Sequence, residues 1–544
     1  MFKLSIIIGI YSYIIFFLGI TNNLYKNNIV GLSLIFTIIS LLVIIIINFF
    51  SRHRNHQRVN GATPSFLPAV TNNRNRKMMI VLSLIIIFTQ ALINLVGALG
   101  PELAFDALWY HLTLPKIYLL NHSISYIPGG LFYYSVMPKL TEMLYVSSLV
   151  FQGEILAKII HFLFGILTLL VIYRISRKYL SRPFSLIVCV LFYSNLVVGW
   201  QSITAYIDLV RTFFEVLALY FFIEYASNNK FFSLVKSSVG LGLAVSTKIL
   251  SLTSLFMFIP LVIYLGLAQK KDTGKIIKDI IMFVLLVFLI PFPWFVFSYV
   301  NTGSPFYPFL TSVYPISLES SIFNINSILK DYWGIFVNSP DPISPLYLIG
   351  LPIIIFAVSK FNQQKKIILI YSFLAVILWL LIPRTGGGRF FLPYLPALSL
   401  LIVLSINILK NNLLKSFLIA LILLTSISSV IYRGIANAKY LPVILGTETK
   451  QEFLKNNLNF SYGDYYDIDS YMKNKIIPKD KVLIVGIHNL YYIDFPFIHD
   501  SYVKQDQNYN YILKRDDIVS RSHRGWKLIY KNDISKVALY EKEN

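Results

Sequence analysis

The feature that most constrains this chain is a series of apolar runs, each about 20 residues long, repeated over four-fifths of its length. A helix needs roughly 20 mostly apolar residues to cross the hydrocarbon core of a bilayer. Thirteen such segments are read: 3–22, 28–50, 79–99, 154–174, 183–200, 208–227, 236–250, 251–268, 279–299, 344–360, 366–383, 390–409 and 414–432. The pair 236–250 and 251–268 reads either as two short spans or as one long helix with a break. No small-residue cleavage site separates the first run from the second, so 3–22 reads as a span and not as a cleaved signal. Composition agrees. With 56% hydrophobic and 14% charged residues, most of these 544 residues cannot cover the surface of a soluble domain.

The net charge of +22 would suggest a nucleic-acid partner in a soluble protein. Its distribution argues otherwise. Residues 1–440 hold 33 basic and 12 acidic side chains, whereas 441–544 hold 15 and 14. The basic residues gather in alternate loops, at 51–78, 174–182, 230–236, 270–278, 360–366 and 410–415. By the positive-inside rule these loops are cytoplasmic. The opposite loops carry Glu102, Asp106, Glu142, Glu154, Asp208, Glu319, Asp331 and Asp341. An odd number of spans then puts the N-terminus inside and the tail outside. The single cysteine, Cys189, excludes an intramolecular disulfide or a cysteine-based metal site.

Three regions follow. Residues 1–78 form two N-terminal spans and a basic cytoplasmic loop. Residues 79–432 form the main transmembrane domain, with long outer loops at 101–153 and 301–343. Stretches 113–121 and 131–150 of the first loop read as helices lying in the membrane interface. Residues 433–544 read as a small extracytoplasmic α/β domain, with strands at 480–487, 525–532 and 535–541 and helical spacing at 448–458 and 466–475. The expected fold is thus a polytopic α-helical membrane protein of about 13 transmembrane helices with a small α/β C-terminal domain.

Ionisable groups at membrane depth are costly and mark candidate sites. Asp106 lies just past span 79–99, within Phe105-Asp106-Ala107-Leu108-Trp109-Tyr110-His111. Its carboxylate reads as a general base or hydroxyl-orienting acceptor, or as a plain interfacial charge. Asp208 reads as a second carboxylate of the same outer cavity, or as a charge complementing its helix dipole. Lys248 reads as a lipid-phosphate ligand, or as a side chain snorkelling to the interface. Arg384 and Arg389 bracket Gly386-Gly387-Gly388 in a short outer loop. Arginine grips phosphate bidentately, although two arginines at a turn can also be incidental. Lys116, Lys139 and Glu142 belong to the interfacial helices. His111 reads as a structural hydrogen-bonder, and Trp109 with Tyr110 as part of an aromatic belt.

These stretches resemble the GT-C superfamily of integral-membrane glycosyltransferases that use polyprenyl-phosphate sugars. The branch includes the protein O-mannosyltransferases and the lipid A aminoarabinose transferases. The resemblance rests on Asp106-Ala107-Leu108-Trp109-Tyr110-His111-Leu112 with Pro115-Lys116, and on Pro138-Lys139 with Glu142-Met143-Leu144-Tyr145. It continues through Ala205-Tyr206-Ile207-Asp208, Gly242-Leu243-Ala244 with Thr247-Lys248, and Thr302-Gly303-Ser304-Pro305-Phe306-Tyr307-Pro308-Phe309. Pro345-Leu346-Tyr347-Leu348 and Arg389-Phe390-Phe391-Leu392-Pro393 complete it, in order over about residues 80–400.

The resemblance implies that Asp106 is the catalytic carboxylate, with Asp208 as a second. It implies that basic residues (Lys248, Arg384 and Arg389, with Lys116 or Lys139) hold the donor phosphate, supported by His111, Glu142 and Tyr110. Where many relatives carry an acidic pair in the first loop, this chain has one Asp. Metal dependence is therefore open, and a divalent ion, Mg or Mn, would fall on Asp106 and Asp208. The implied partners are a polyprenyl-phosphate-sugar donor, a glycan, lipid or protein acceptor and membrane lipids, with no nucleic acid. The expected activity is inverting sugar transfer at the outer face. The alternatives are a transporter or flippase of lipid-linked saccharides, which should show related halves, and a polymerase or ligase.

Overall fold

The structure is a computed structural model and describes residues 1–55, 73–311, 324–337, 339, 342–382, 387–504, 507–516 and 525–543. Most of the basic loop 51–78, including Arg58, lies outside the described residues, as do Glu319, Asp341 and Arg384. Up to residue 445 the described fold is helical. Among the described residues, seven helices are long and apolar enough to cross a membrane: Phe2–Ile20, Arg74–Leu99, Gly153–Ser176, Ile249–Ala268, Gln363–Leu381, Gly388–Ile408 and Asn412–Ile444. The helices Thr273–Leu289 and Phe292–Thr302 make an eighth if counted as one span bent by 60°.

Among the described residues, several of the expected runs are reshaped for physical reasons. The run 279–299 contains Pro291 and Pro293, and proline removes a helix donor and clashes with the preceding turn, so the bend falls there. The run 183–200 is divided into Arg182–Tyr193 and Leu196–Gln201 by Ser194 and the extended Asn195. The run 208–227 is one helix, Asp208–Asn228, but it carries Asp208, Arg211, Glu215 and Glu224. The doubtful pair resolves into two helices, Phe231–Thr247 and the stretch Ile249–Ala268, separated by Lys248 in an extended conformation.

Loop 101–153 folds as a π-helical turn, Ala107–His111, followed by helices Thr113–Leu120 and Leu140–Phe151. The C-terminal part contains a five-stranded sheet: β1 Val482–Val485, β2 Phe497–His499, β3 Tyr511–Arg515, β4 Trp526–Asn532 and β5 Val537–Lys542. The strand order is β2-β1-β3-β5-β4, with β1 parallel to both neighbours and β5 antiparallel to both of its own. Asn532 closes the β4–β5 turn by accepting the Ile534 and Ser535 amides at 3.0 Å. Strands β2 and β3 escape the sequence pattern because β2 has three residues and β3 ends on Lys514-Arg515.

The sheet region is fastened to loop 101–153. Lys116 Nζ donates to the Tyr491 and Ile493 carbonyls and to Asp494 Oδ1, each at 2.8 Å. The Tyr491 amide donates to the Leu108 carbonyl at 3.2 Å. Tyr492 Oη donates to the Glu102 carbonyl at 2.9 Å. Glu154 takes Lys450 at 2.5 Å and Tyr491 Oη at 3.0 Å. Gly129, at φ +96°, lies so close to the Ser501 carbonyl that a Cβ would stand 1.9 Å from its oxygen. Only glycine fits both that backbone and that approach.

Candidate active site

Four segments distant in sequence deliver four charges to one place. Asp106 stands immediately before the π-turn Ala107–His111; single π-turns recur at functional sites. Asp208 opens the helix Asp208–Asn228, and Lys248 closes the neighbouring helix Phe231–Thr247. These two helices pack against one another, so the start of one and the end of the other lie at the same level. Arg389 sits in the short helix Gly388–Phe391. Gly387, at φ +53°, precedes that helix, and its carbonyl accepts Trp379 Nε1 at 3.4 Å.

Arg389 joins the two carboxylates. Its Nη1 lies 2.6 Å from Asp106 Oδ2 and its Nε 3.8 Å from Asp208 Oδ2. Lys248 Nζ lies 2.7 Å from Asp208 Oδ1. Charge-assisted contacts this short are stronger than neutral hydrogen bonds. The guanidinium also lies over the Tyr206 ring at 5.0 Å, and the Lys248 ammonium over Phe390 at 4.8 Å. Tyr110 Oη donates to Asp106 Oδ2 at 3.2 Å, and the Asp106 amide donates to Tyr206 Oη at 3.1 Å.

Asp106, Lys248 and Arg389 line a cavity of about 260 Å³. The same cavity is lined by Lys139, Glu142 and His111, with Tyr110 and Tyr134 stacked 4.0 Å apart beside them. His111 Nδ1 is 2.9 Å and Lys139 Nζ 3.8 Å from Glu142 Oε1. Burial pushes the Lys139 ammonium and the His111 imidazole below their ordinary values, against the pull of Glu142. Burial acts to raise the Glu142 carboxyl, but Lys139 and His111 outweigh it and hold it low. Glu142 Oε2 is buried without a hydrogen-bond partner. Ile249, Leu250, Pro308, Phe309 and Phe390 make the remaining wall apolar.

The structure therefore brings together eight of the ten residues expected at the site. Asp208 stands behind Lys248 and Arg389, only 1% exposed and not on the cavity wall. Lys116 is the exception among the described residues. Its ammonium is committed to the Tyr491–Asp494 segment, so the expectation that it holds donor phosphate is replaced by a role in fastening the C-terminal region. The tenth residue, Arg384, lies outside the described residues.

Several supporting residues are not evident from the sequence reading. Glu102 accepts the Leu103 and Ala104 amides at 2.9 and 2.8 Å and the Ala205 amide at 2.5 Å, joining the Asp106 loop to the Asp208 turn. His161 brackets the same turn, meeting the Thr204 carbonyl at Nδ1 and the Leu209 amide at Nε2, both at 2.9 Å. The signal for His161 was available, because it is an ionisable residue within an apolar run. Glu102 gave no such signal beyond its place four residues before Asp106.

Both candidate carboxylates already face Arg389 or Lys248 at ion-pair distance, so a metal ion there would sit against two positive charges. Among the described residues, no group of three or more His, Cys, Asp or Glu side chains could hold a metal ion.

The chain resembles the GT-C integral-membrane glycosyltransferases, as its sequence leads one to expect. The structure is similar to ArnT from Cupriavidus metallidurans bound to undecaprenyl phosphate, with a TM-score of 0.54 and 13% identity, covering 86% of this chain and 98% of that one. The apo state of the same enzyme gives 0.53 and 13%, covering 85% and 97%. Residues 135–304 match the family described as dolichyl-phosphate-mannose-protein mannosyltransferase. That segment holds Lys139, Glu142, Asp208 and Lys248. No curated protein matches the chain.

Proposed function

We propose that this membrane protein transfers a sugar from a polyprenyl-phosphate donor to an acceptor hydroxyl, with inversion, at the outer face of the membrane. The observation that carries this reading is the convergence, on one cavity, of an accessible carboxylate and cationic side chains suited to phosphate. Arg389 and Lys248, with Lys139 of the same cavity, bind the donor phosphate. The first isoprene units lie along the apolar wall near Leu250, Phe309 and Phe390. Sugar phosphate is already a fair leaving group, so no strong general acid is required. The acceptor oxygen attacks the anomeric carbon as the carbon–phosphate-oxygen bond breaks. Asp106 takes the hydroxyl proton, and Arg389 and Lys248 neutralise the charge growing on the departing prenyl phosphate. Arrival of the phosphate draws Arg389 away from Asp106, which frees the carboxylate to act as base.

The acceptor enters from the C-terminal domain. A second cavity of about 390 Å³ lies between Phe105 and Trp109 of the catalytic loop and Gly486, His488 and Asp500 at the ends of β1 and β2. Trp109 touches Tyr134 of the first cavity edge to face at 5.3 Å, so one layer of aromatic rings separates the two. The docking of the sheet on loop 101–153 supports placing both on one side of the membrane, and the basic loops on the other side make the sheet's side the outer one, with the N-terminus in the cytoplasm. No step requires a divalent ion.

The test is transfer of labelled sugar from a prenyl-phosphate donor by membranes carrying the intact chain or Asp106→Asn. Transfer by the intact chain and its loss in the variant are expected. Equal transfer by a correctly folded variant would falsify the role of Asp106. Movement of the intact lipid-linked sugar across proteoliposomes, without glycosyl transfer, would replace the reading by a transporter.

A further inference from the structure

Below the cavity lies a charged pair for which the proposed chemistry has no use. Arg211 and Glu215 are both 0% exposed, and neither lines the cavity. They stand one and two turns below Asp208 on the helix Asp208–Asn228, with Arg211 Nε 2.7 Å from Glu215 Oε1. Buried ion pairs are expensive to desolvate and are weak evidence for stability. In a helix otherwise rich in Phe, Leu and Val, this pair therefore calls for a specific task.

Its partners indicate the task. Glu215 Oε1 accepts Ser251 Oγ at 2.9 Å, and Oε2 accepts Ser254 Oγ at 2.8 Å. Arg211 Nη2 donates to Tyr394 Oη at 3.1 Å, which in turn lies 3.5 Å from Ser254 Oγ. Ser251 and Ser254 belong to the 3-10 turn Ile249–Ser254, which begins directly after Lys248. Tyr394 ends the turn Leu392–Tyr394, which follows directly on the helix carrying Arg389. One buried network thus ties together the three segments that present Asp208, Lys248 and Arg389. Each presented charge has its own anchor within five residues along the chain.

We infer that Arg211, Glu215, Ser251, Ser254 and Tyr394 are positioning residues, forming a frame that fixes Lys248 and Arg389 relative to each other for the donor phosphate. The need is physical. When a phosphate arrives, Arg389 exchanges its Asp106 partner for the ligand and Lys248 shares its charge between Asp208 and the ligand, so ion pairs locate the turns that carry them less firmly. The frame lies out of reach of the ligand and holds those turns through the exchange. Misplacement by about 1 Å can cost roughly a hundredfold in rate.

This inference rests on the proposed function, and the test separates the two. The full-length chain is purified in detergent, and binding of a polyprenyl phosphate is titrated for Ser251→Ala, Tyr394→Phe, Lys248→Ala, Arg389→Ala and the pairs S251A/K248A and Y394F/R389A. Ser405→Ala, which removes a buried hydroxyl bonded to Leu401 in the helix Leu395–Ile408, is the control for loss of a buried hydroxyl. The expected result is a several-fold weaker affinity for S251A and Y394F and no change for S405A. A further loss from S251A in the K248A background, or from Y394F in the R389A background, is not expected, because each acts through the cation it anchors. A multiplicative loss in both paired backgrounds, or unchanged affinity in S251A and Y394F, overturns the positioning role and leaves the functional reading intact. Failure of the intact chain to bind the prenyl phosphate overturns the functional reading itself, and the frame with it.

Discussion

Asp106 and Asp208 share a partner, Arg389, yet they occupy opposite sides of it. Asp106 belongs to loop 101–153, lines the cavity and accepts from Tyr110 and Arg389. Asp208 opens a helix, is almost fully enclosed and gives one oxygen to Lys248, while its other oxygen has no hydrogen bond. Two identical side chains with the same counter-ion therefore have different chemical reach. The accessible one can meet a substrate proton. The enclosed one can only hold its neighbours. Two carboxylates at one depth do not imply two catalysts.

The largest expected effect comes from the accessible member. Asp106→Asn should lower sugar transfer by about 10²–10⁴-fold, the usual contribution of a general base, while prenyl phosphate still binds. Asp208→Asn should act on the other side of the comparison. Lys248 loses its tether and the donor binds less well, with a loss of about 10–100-fold, matching 1.5–3 kcal/mol for a charge-assisted hydrogen bond. The split is read from steady-state kinetics, with kcat falling for Asp106→Asn and donor KM rising for Asp208→Asn. Equal profiles for the two variants would erase the distinction. Lys116→Ala should leave donor affinity unchanged and lower the melting temperature, because the Tyr491 and Ile493 carbonyls lose their shared donor, at about 1–3 kcal/mol per buried group left unsatisfied. The smallest effect is expected from EDTA. Transfer should be unchanged, since both carboxylates are already neutralised by side chains; a loss restored by Mg or Mn would place a cation between them after all.

Much of the site is legible from the chain because its residues break a pattern. Asp106, Asp208, Lys248 and Arg389 each interrupt apolar sequence, and an ionisable group there demands a reason. What the pattern cannot convey is partnership. Nothing along the chain links Lys116 to residues 491–494, and the same rule that flags Lys248 flags Lys116. Only the packing separates a cation facing a cavity from one fastening a domain. Arg211 and Glu215 were hidden differently. Four residues apart on one helix, they read as an ordinary i,i+4 pair, and their purpose appears only when Ser251 and Tyr394 arrive from elsewhere. Hydropathy alone also reads as continuous two runs that Pro291 and Pro293 bend or that Ser194 and Asn195 divide.

The hydrogen bond from the Tyr491 amide to the Leu108 carbonyl joins the C-terminal domain to the turn that carries Asp106. That amide can exchange with deuterium only when the junction opens. Its protection therefore serves as an internal clock for the Asp106 loop, readable without substrate. A tail exchanged for that of a distant relative would keep time only if it brought an equivalent of Tyr491.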